Sequence, residues 1–124
     1  MKVLIVDDSV TMRRIVAKLL QELGITDIEE AADGDQCVLK VASGAYSLVL
    51  LDWNMPNMLG IDALKAIRAS GNKVPIMMVT TESEKRNILE AIKSGANNYI
   101  TKPFEKDALQ TKIKLFMGSA APAS

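Results

Sequence analysis

Two acids stand side by side at Asp7 and Asp8, immediately after the apolar run KVLIV. A third, Asp52, directly follows SLVLL, Thr80 follows VPIMMV, and Lys102 follows NNYIT. If each run is a strand of one parallel sheet, these groups emerge together at its carboxyl edge, where open α/β sheets bind ligands. Two like charges about 4 Å apart cost on the order of 4 kcal/mol at an effective dielectric near 20. Three clustered carboxylates therefore protonate, spread apart or recruit cations. An all-oxygen set completed by carbonyls and waters suits Mg2+ rather than zinc. Lys102 adds a second positive charge. A metal, a lysine and a hydroxyl around one carboxylate point to phosphoryl transfer. Mg2+ and Lys102 would neutralise charge on the transferring oxygens, and Thr80 would donate a hydrogen bond to one of them. Asp52 is the expected nucleophile, forming an aspartyl phosphate. The chain has no histidine to act as a base, so an ionised carboxylate must attack directly.

Taken singly, each residue has an ordinary explanation. An Asp after a strand is most often a helix N-cap or a turn residue, Thr80 could be the same, and a lone Lys is usually a solvated charge. The joint pattern carries the argument.

The elements that must position these groups are legible as short β-branched runs alternating with helical patterns. Lys2–Val6, Thr26–Ala31, Ser47–Leu51, Val74–Val79 and a weaker Asn97–Thr101 read as strands. Met12, Ile15, Val16, Leu19, Leu20 and Leu23 recur at helical spacing after Val10. Further helices are expected at Gln36–Ser43, around Ile61, Leu64 and Ile67, at Glu84–Ser94 and at Glu105–Met117. A glycine follows each helix (Gly24, Gly44, Gly71, Gly95, Gly118), as the left-handed cap conformation would favour. Five strands alternating with five helices imply right-handed crossovers and a doubly wound α/β domain with one parallel sheet covered on both faces. Continuous apolar runs such as SLVLL fit strands buried on both faces, and Pro75 near a strand start costs little.

Composition removes other classes. At 124 residues the chain is one domain, 48% apolar and 24% charged, the profile of a globular protein. Fifteen basic and fifteen acidic residues cancel, against binding of nucleic acid or a membrane surface through bulk charge. One cysteine, Cys37, excludes an internal disulfide and reads as a small buried hydrophobe, and the seven methionines read mostly as core. Without histidine, zincins and Ser-His-Asp hydrolases are out. No apolar run approaches the ~20 residues of a membrane span, and the N-terminus lacks a cleavage region, so the expected location is cytoplasmic. The domain is expected over 1–117, with GSAAPAS at 118–124 as a frayed tail.

VDDS at 6–9, LDWNMPNMLG at 51–60, VTTE at 79–82 and YITKPF at 99–104 together resemble the receiver domain of two-component response regulators. DWNMPNM and TMRRIV are most similar to the single-domain chemotaxis regulators. The resemblance implies a flavodoxin-like sheet of strand order 2-1-3-4-5 and a phosphoacceptor at Asp52. It implies Mg2+ held by the side chains of Asp8 and Asp52, by the Asn54 backbone carbonyl, and by Asp7 mainly through water. Thr80 and Lys102 would contact the phosphoryl group, and the Lys102–Pro103 bond would be cis. Phosphorylation would draw Thr80 inward, with Tyr99 following, and remodel the face made by the last two helices and the strand between them. Lys112 matches a basic residue of that partner face, whereas Leu115 stands where enteric chemotaxis regulators have a second lysine. Asn54, Thr81 and Glu82 would tune phosphoryl lifetime, Thr81 by hindering attacking water; Glu82 reads equally as an acid at a helix N-terminus. Leu59 replaces the acid often found before Gly60 and implies altered helix capping rather than lost chemistry. The implied partners are a chemotaxis-type histidine kinase, a flagellar motor switch protein or another phosphorylation-dependent target, and a phosphatase. A monomer is implied too.

Rival readings remain. A phosphorelay shuttle or phosphate sink would use the same chemistry with another output. A flavodoxin needs a hydroxyl- and glycine-rich phosphate loop after the first strand, where this chain has two acids. A dehalogenase-type phosphotransferase usually carries its nucleophile after the first strand in a DxD pattern, whereas Asp52 follows the third. A partner-binding domain with a degenerate site would not need all five of Asp7, Asp8, Asp52, Thr80 and Lys102.

Overall fold

The computed structural model describes residues 1–120, with side chains as far as Met117. Its elements alternate without exception: β1 (Lys2–Val6), α1 (Val10–Glu22), β2 (Asp27–Ala31), α2 (Gly34–Ser43), β3 (Leu48–Leu51), α3 (Gly60–Ala69), β4 (Ile76–Thr80), α4 (Lys85–Lys93), β5 (Asn98–Thr101) and α5 (Lys106–Ala120). The five strands form one parallel sheet in the order β2-β1-β3-β4-β5. The order reverses between β1 and β3, so a crevice opens there at the carboxyl edge.

Alternate residues of each strand face opposite sides of the sheet, and two cores result. Val3, Ile5, Leu48, Leu50, Met77 and Val79 pack with Leu19 and Leu20 of α1 and Leu109 and Ile113 of α5. Leu4, Val6, Val49, Leu51, Ile76 and Met78 pack with Cys37 of α2, Leu64 of α3 and Ala91 of α4. Cys37 is fully buried, and burial pushes its thiol up to about 12. It is packing, as its sequence context implied. Among the described residues no helix is long and apolar enough to cross a membrane.

Several boundaries differ from the sequence expectation. α2 starts at Gly34 because the Asp33 carboxylate accepts the Gln36 N–H at 2.8 Å and caps the helix two residues earlier. β4 runs from Ile76 to Thr80 rather than from Val74 to Val79. Pro75 offers no N–H, although its carbonyl still accepts from Val49 at 2.8 Å, while Thr80 pairs with Thr101 of β5. The glycine stops are also of two kinds. Gly24, Gly71 and Gly95 have positive φ, but Gly44 is extended at φ −119°. A Cβ on Gly44 would stand 2.8 Å from the Tyr46 ring, so close approach rather than handedness selects glycine there. α5 continues through Gly118 to Ala120, since one glycine costs a helix only about 1 kcal/mol. The rest of the expected tail, 121–124, lies outside the described residues.

Candidate functional site

β1 ends at Val6 and β3 at Leu51, paired neighbours in the sheet, so Asp7 and Asp52 leave adjacent strands at the same level. Asp52 N–H still donates to the Val6 carbonyl at 3.0 Å and Asp7 N–H to Ala31 at 3.1 Å, so backbone pairing extends to both acids. Both are buried, 4% exposed for Asp7 and 6% for Asp52, whereas Asp8 faces solvent. One carboxylate oxygen from each of Asp7, Asp8 and Asp52 lies within 4.8 Å of the others. Hard oxygen donors at that mutual spacing fit a divalent cation such as Mg2+.

Lys102 enters from the end of β5. Its Nζ stands 2.6 Å from Asp7 Oδ2 and 3.2 Å from Asp52 Oδ2. Burial alone would pull its pKa down, but the hydrogen bond it donates to Asp7 and the charges of Asp52 and Asp7 outweigh that and hold it above the usual lysine range. The Lys102–Pro103 peptide bond is cis, as implied above. Thr80 is fully buried at the end of β4, the strand between those that lead to Asp52 and Lys102. Its Oγ1 accepts the Glu82 N–H at 3.2 Å.

The remaining sequence candidates are placed differently. Asn54 is exposed, and its N–H points to Asp52 Oδ1 at 3.4 Å. Thr81 is exposed beside Thr80. The Glu82 carboxylate accepts from Asn87 Nδ2 at 3.0 Å and from the Glu84 N–H at 3.3 Å, and the Asn87 bond chiefly holds its pKa below the usual glutamate value. It serves the start of α4, whose N-cap Glu84 makes no side-chain cap bond. Tyr99 packs beside the α2–α3–α4 core, and its hydroxyl reaches the Glu82 carbonyl at 2.6 Å. Lys112 does not join the site; its Nζ donates to Asn98 Oδ1 at 3.2 Å, at the first residue of β5. Leu115 is 62% exposed, and Leu59 N-caps α3 without a side-chain bond.

Three contributors escaped the sequence reading. Ser9 caps α1 by accepting the Met12 N–H at 3.1 Å, and its own N–H donates to Asp7 Oδ1 at 2.9 Å. Arg13 donates to the Asp7 carbonyl at 2.6 Å and to Glu30 Oε1 at 2.8 Å, fixing the acid pair from behind. A Cβ on Gly60 would run into the Asp52 carbonyl oxygen. Ser9 was findable as a hydroxyl directly before a helical run; the other two depend on how the backbone turns back on itself between Asp7 and Arg13 and between Asp52 and Gly60.

The comparisons agree with this geometry. The sequence model described as response regulator receiver domain matches residues 3–114. The chain is 46% identical over 116 residues to the chemotaxis protein CheY of Pseudomonas aeruginosa, covering 92% of this chain and 94% of that one. It is 44% identical over 122 residues to CheY1 of Helicobacter pylori, covering 96% and 98%. Among solved structures, the receiver domain of the Francisella response regulator 1452 superposes with a TM-score of 0.89 at 29% identity, covering 97% and 98%. CheY4 of Vibrio cholerae gives 0.82 at 34% identity, covering 93% and 97%. With the acid cluster, the lysine and the sheet order already in place, these matches show that the chain belongs to the response regulator receiver domain family and resembles its chemotaxis members.

Proposed function

We propose that this chain is a single-domain response regulator whose receiver domain, 1–117, accepts a phosphoryl group on Asp52 and switches a partner surface. The observation that carries the reading is the three-carboxylate cluster with Lys102 bridging two of its members. Buried acids held this close need cations, and the same cations suit a phosphoryl group in transfer.

Asp7, Asp8 and Asp52, with the Asn54 carbonyl, would hold Mg2+, which when bound neutralises charge on the transferring phosphoryl oxygens. An ionised Asp52 oxygen attacks phosphorus, and the donor leaves with the electron pair of its bond to phosphorus. Lys102, 3.2 Å from Asp52, would pair with a phosphoryl oxygen. Thr80 accepts from Glu82 N–H and so keeps its hydroxyl hydrogen to donate. Thr81 stands exposed on the approach of hydrolytic water, and Asn54 and Glu82 tune the phosphoryl lifetime. The only chemistry catalysed is the chain's own phosphorylation and dephosphorylation.

The donor is a CheA-like histidine kinase and the target a flagellar motor switch protein, read by the α4–β5–α5 face with Tyr99 and Lys112, in a cytoplasmic monomer. Support comes from the chemotaxis proteins it resembles. Phosphate-dependent capture of motor switch protein rather than a histidine phosphotransferase separates this output from a shuttle or sink.

Incubation with acetyl phosphate and Mg2+, followed by intact mass, tests the chemistry. One added phosphoryl group is expected, absent in Asp52→Asn and with excess chelator. An unmodified wild-type chain would overturn the reading.

A further inference from the structure

The loop from Asp52 to Leu59 is anchored at a point far from Asp52 itself. Asn57 Nδ2 donates to Asp33 Oδ2 at 2.7 Å, while Asp33 Oδ1 accepts the Gln36 N–H at the start of α2. Asp33 is 9% exposed, and the Gln36 N–H first, then the Asn57 amide, hold its carboxyl below the usual range. Among the described residues, Asn57 is the one non-glycine at positive φ, 68°. Such backbone persists where the surroundings over-determine it. A second contact lies alongside: a Cβ on Gly34 would run into the Met58 carbonyl oxygen, so the loop backbone sits directly on the first turn of α2. Toward the site, the Asn54 N–H points to Asp52 Oδ1 and the Gly60 N–H donates to the Trp53 carbonyl at 2.8 Å. The backbone beside the Asp52 carboxylate is therefore held from both directions.

We propose that Asp33 is a positioning residue: through Asn57 it fixes the loop after Asp52 and so sets where the Asn54 backbone stands beside the phosphoryl-accepting carboxylate. This inference rests on the reading of the site as a metal-assisted phosphoryl acceptor. If the tie is cut, the loop must be ordered by the cation as it binds, so the loss falls on metal affinity rather than on the transfer step.

A purely structural Asp33 would cap α2 and do nothing more. Two substitutions separate the roles. Asp33→Ser keeps a capping oxygen and removes the one that meets Asn57. Asn57→Gly accepts the positive φ and removes the amide, acting from the other end of the bond. Asp33→Asn can cap and, with the Asn57 amide turned over, can still bond it. In the full chain, MgCl2 alone is titrated against Trp53 fluorescence, and phosphorylation by acetyl phosphate is followed at saturating Mg2+.

Asp33→Ser and Asn57→Gly are each expected to weaken Mg2+ about tenfold, the double variant no more than the worse single, and Asp33→Asn is expected to restore the affinity. Phosphorylation at saturating Mg2+ stays near the wild-type rate, so the split falls on metal affinity. Mg2+ affinities within about twofold of wild type in both single variants would overturn the inference, whatever their melting temperatures. A wild-type chain that neither responds to Mg2+ nor gains a phosphoryl group would overturn the functional reading, and the inference with it.

Discussion

The Tyr99 hydroxyl donates to the Glu82 carbonyl at 2.6 Å, and the N–H of the same Glu82 donates to Thr80 Oγ1 at 3.2 Å. One residue's backbone thus links an aromatic on β5 to the buried hydroxyl at the end of β4. Any shift of Thr80 toward a phosphoryl oxygen must move the Glu82 N–H or break that bond. Where the bond holds, the movement reaches Tyr99 through the Glu82 carbonyl. Two discrete arrangements of such a chain are what a ligand-biased switch requires.

Tyr99→Phe keeps the ring in its packing and deletes the link. The expected cost is about 1 kcal/mol, that of one hydrogen bond. The alkaline limb is more specific. Burial first, then the charges of Glu82 and Asp52, push the Tyr99 phenol up to about 12 from 10.0. A folded pKa raised above the unfolded one gives stability that is complete below pH 10 and is lost as pH rises from there toward 12. Wild type should therefore lose more stability across that window than Tyr99→Phe, read from urea midpoints at successive pH values. Parallel curves would show that the phenol is not held as described.

Lys102→Met is expected to separate stability from chemistry. Removing the ammonium leaves buried Asp7 and Asp52 facing one another, at a cost of about 3 kcal/mol in metal-free buffer. The same loss removes a competing cation from the cluster, so Mg2+ should bind more tightly and raise the melting temperature by more than in wild type. Phosphoryl incorporation from acetyl phosphate should nevertheless fall below detection in intact mass. Weaker Mg2+ binding in the variant would contradict the electrostatic account.

The sequence carried the strand ends because side chains at the carboxyl edge of a parallel sheet depend only on where each apolar run stops. Asp7, Asp52 and Lys102 were findable on that basis, and Thr80 was too, although it is the last residue of β4 rather than the first after it. Arg13, Gly60 and the Asp33–Asn57 bond were hidden for the opposite reason. Each depends on how the chain folds back on itself, over the 24 positions from Asp33 to Asn57 or over the short loop from Asp52 to Gly60. Glu82 shows a third case. An acid two residues past a strand could face the site or the next helix, and only the positions of Asn87 and Glu84 decide.

Away from the site, acid should weaken the amino edge of the sheet. Glu29 bonds Lys2 at 2.8 Å and Tyr46 at 2.8 Å, and these two, Lys2 foremost, lower its carboxyl to about 2 from 4.5. A depressed folded pKa gives stability that is present above pH 4.5 and is lost as pH falls toward 2. Glu29→Gln should flatten the urea midpoint across that window while leaving Mg2+ affinity unchanged, since Glu29 stands mid-strand opposite Leu4 and its carboxylate bonds Lys2 and Tyr46 rather than any member of the cluster. An equal acid slope in the variant would assign the lost stability to other carboxylates.

Gly60→Ala tests how closely α3 supports Asp52. The added methyl would meet the Asp52 carbonyl oxygen and crowd the Trp53 backbone, neither of which is the flexible end of a side chain. Overpacking against backbone costs about 1–3 kcal/mol, and here the displaced backbone carries the proposed acceptor, Asp52. Mg2+-dependent phosphorylation should therefore fall along with stability. Gly71→Ala is the matched control. Its site is open, with nothing within 4 Å of the new methyl, and its φ of 85° strains an alanine by about 1–2 kcal/mol. Both variants should melt earlier, by denaturant titration, but Gly71→Ala should take up acetyl phosphate at the wild-type rate once folded. Equal losses of phosphorylation would mean that stability alone, and not the placement of Asp52 by Gly60, sets the rate.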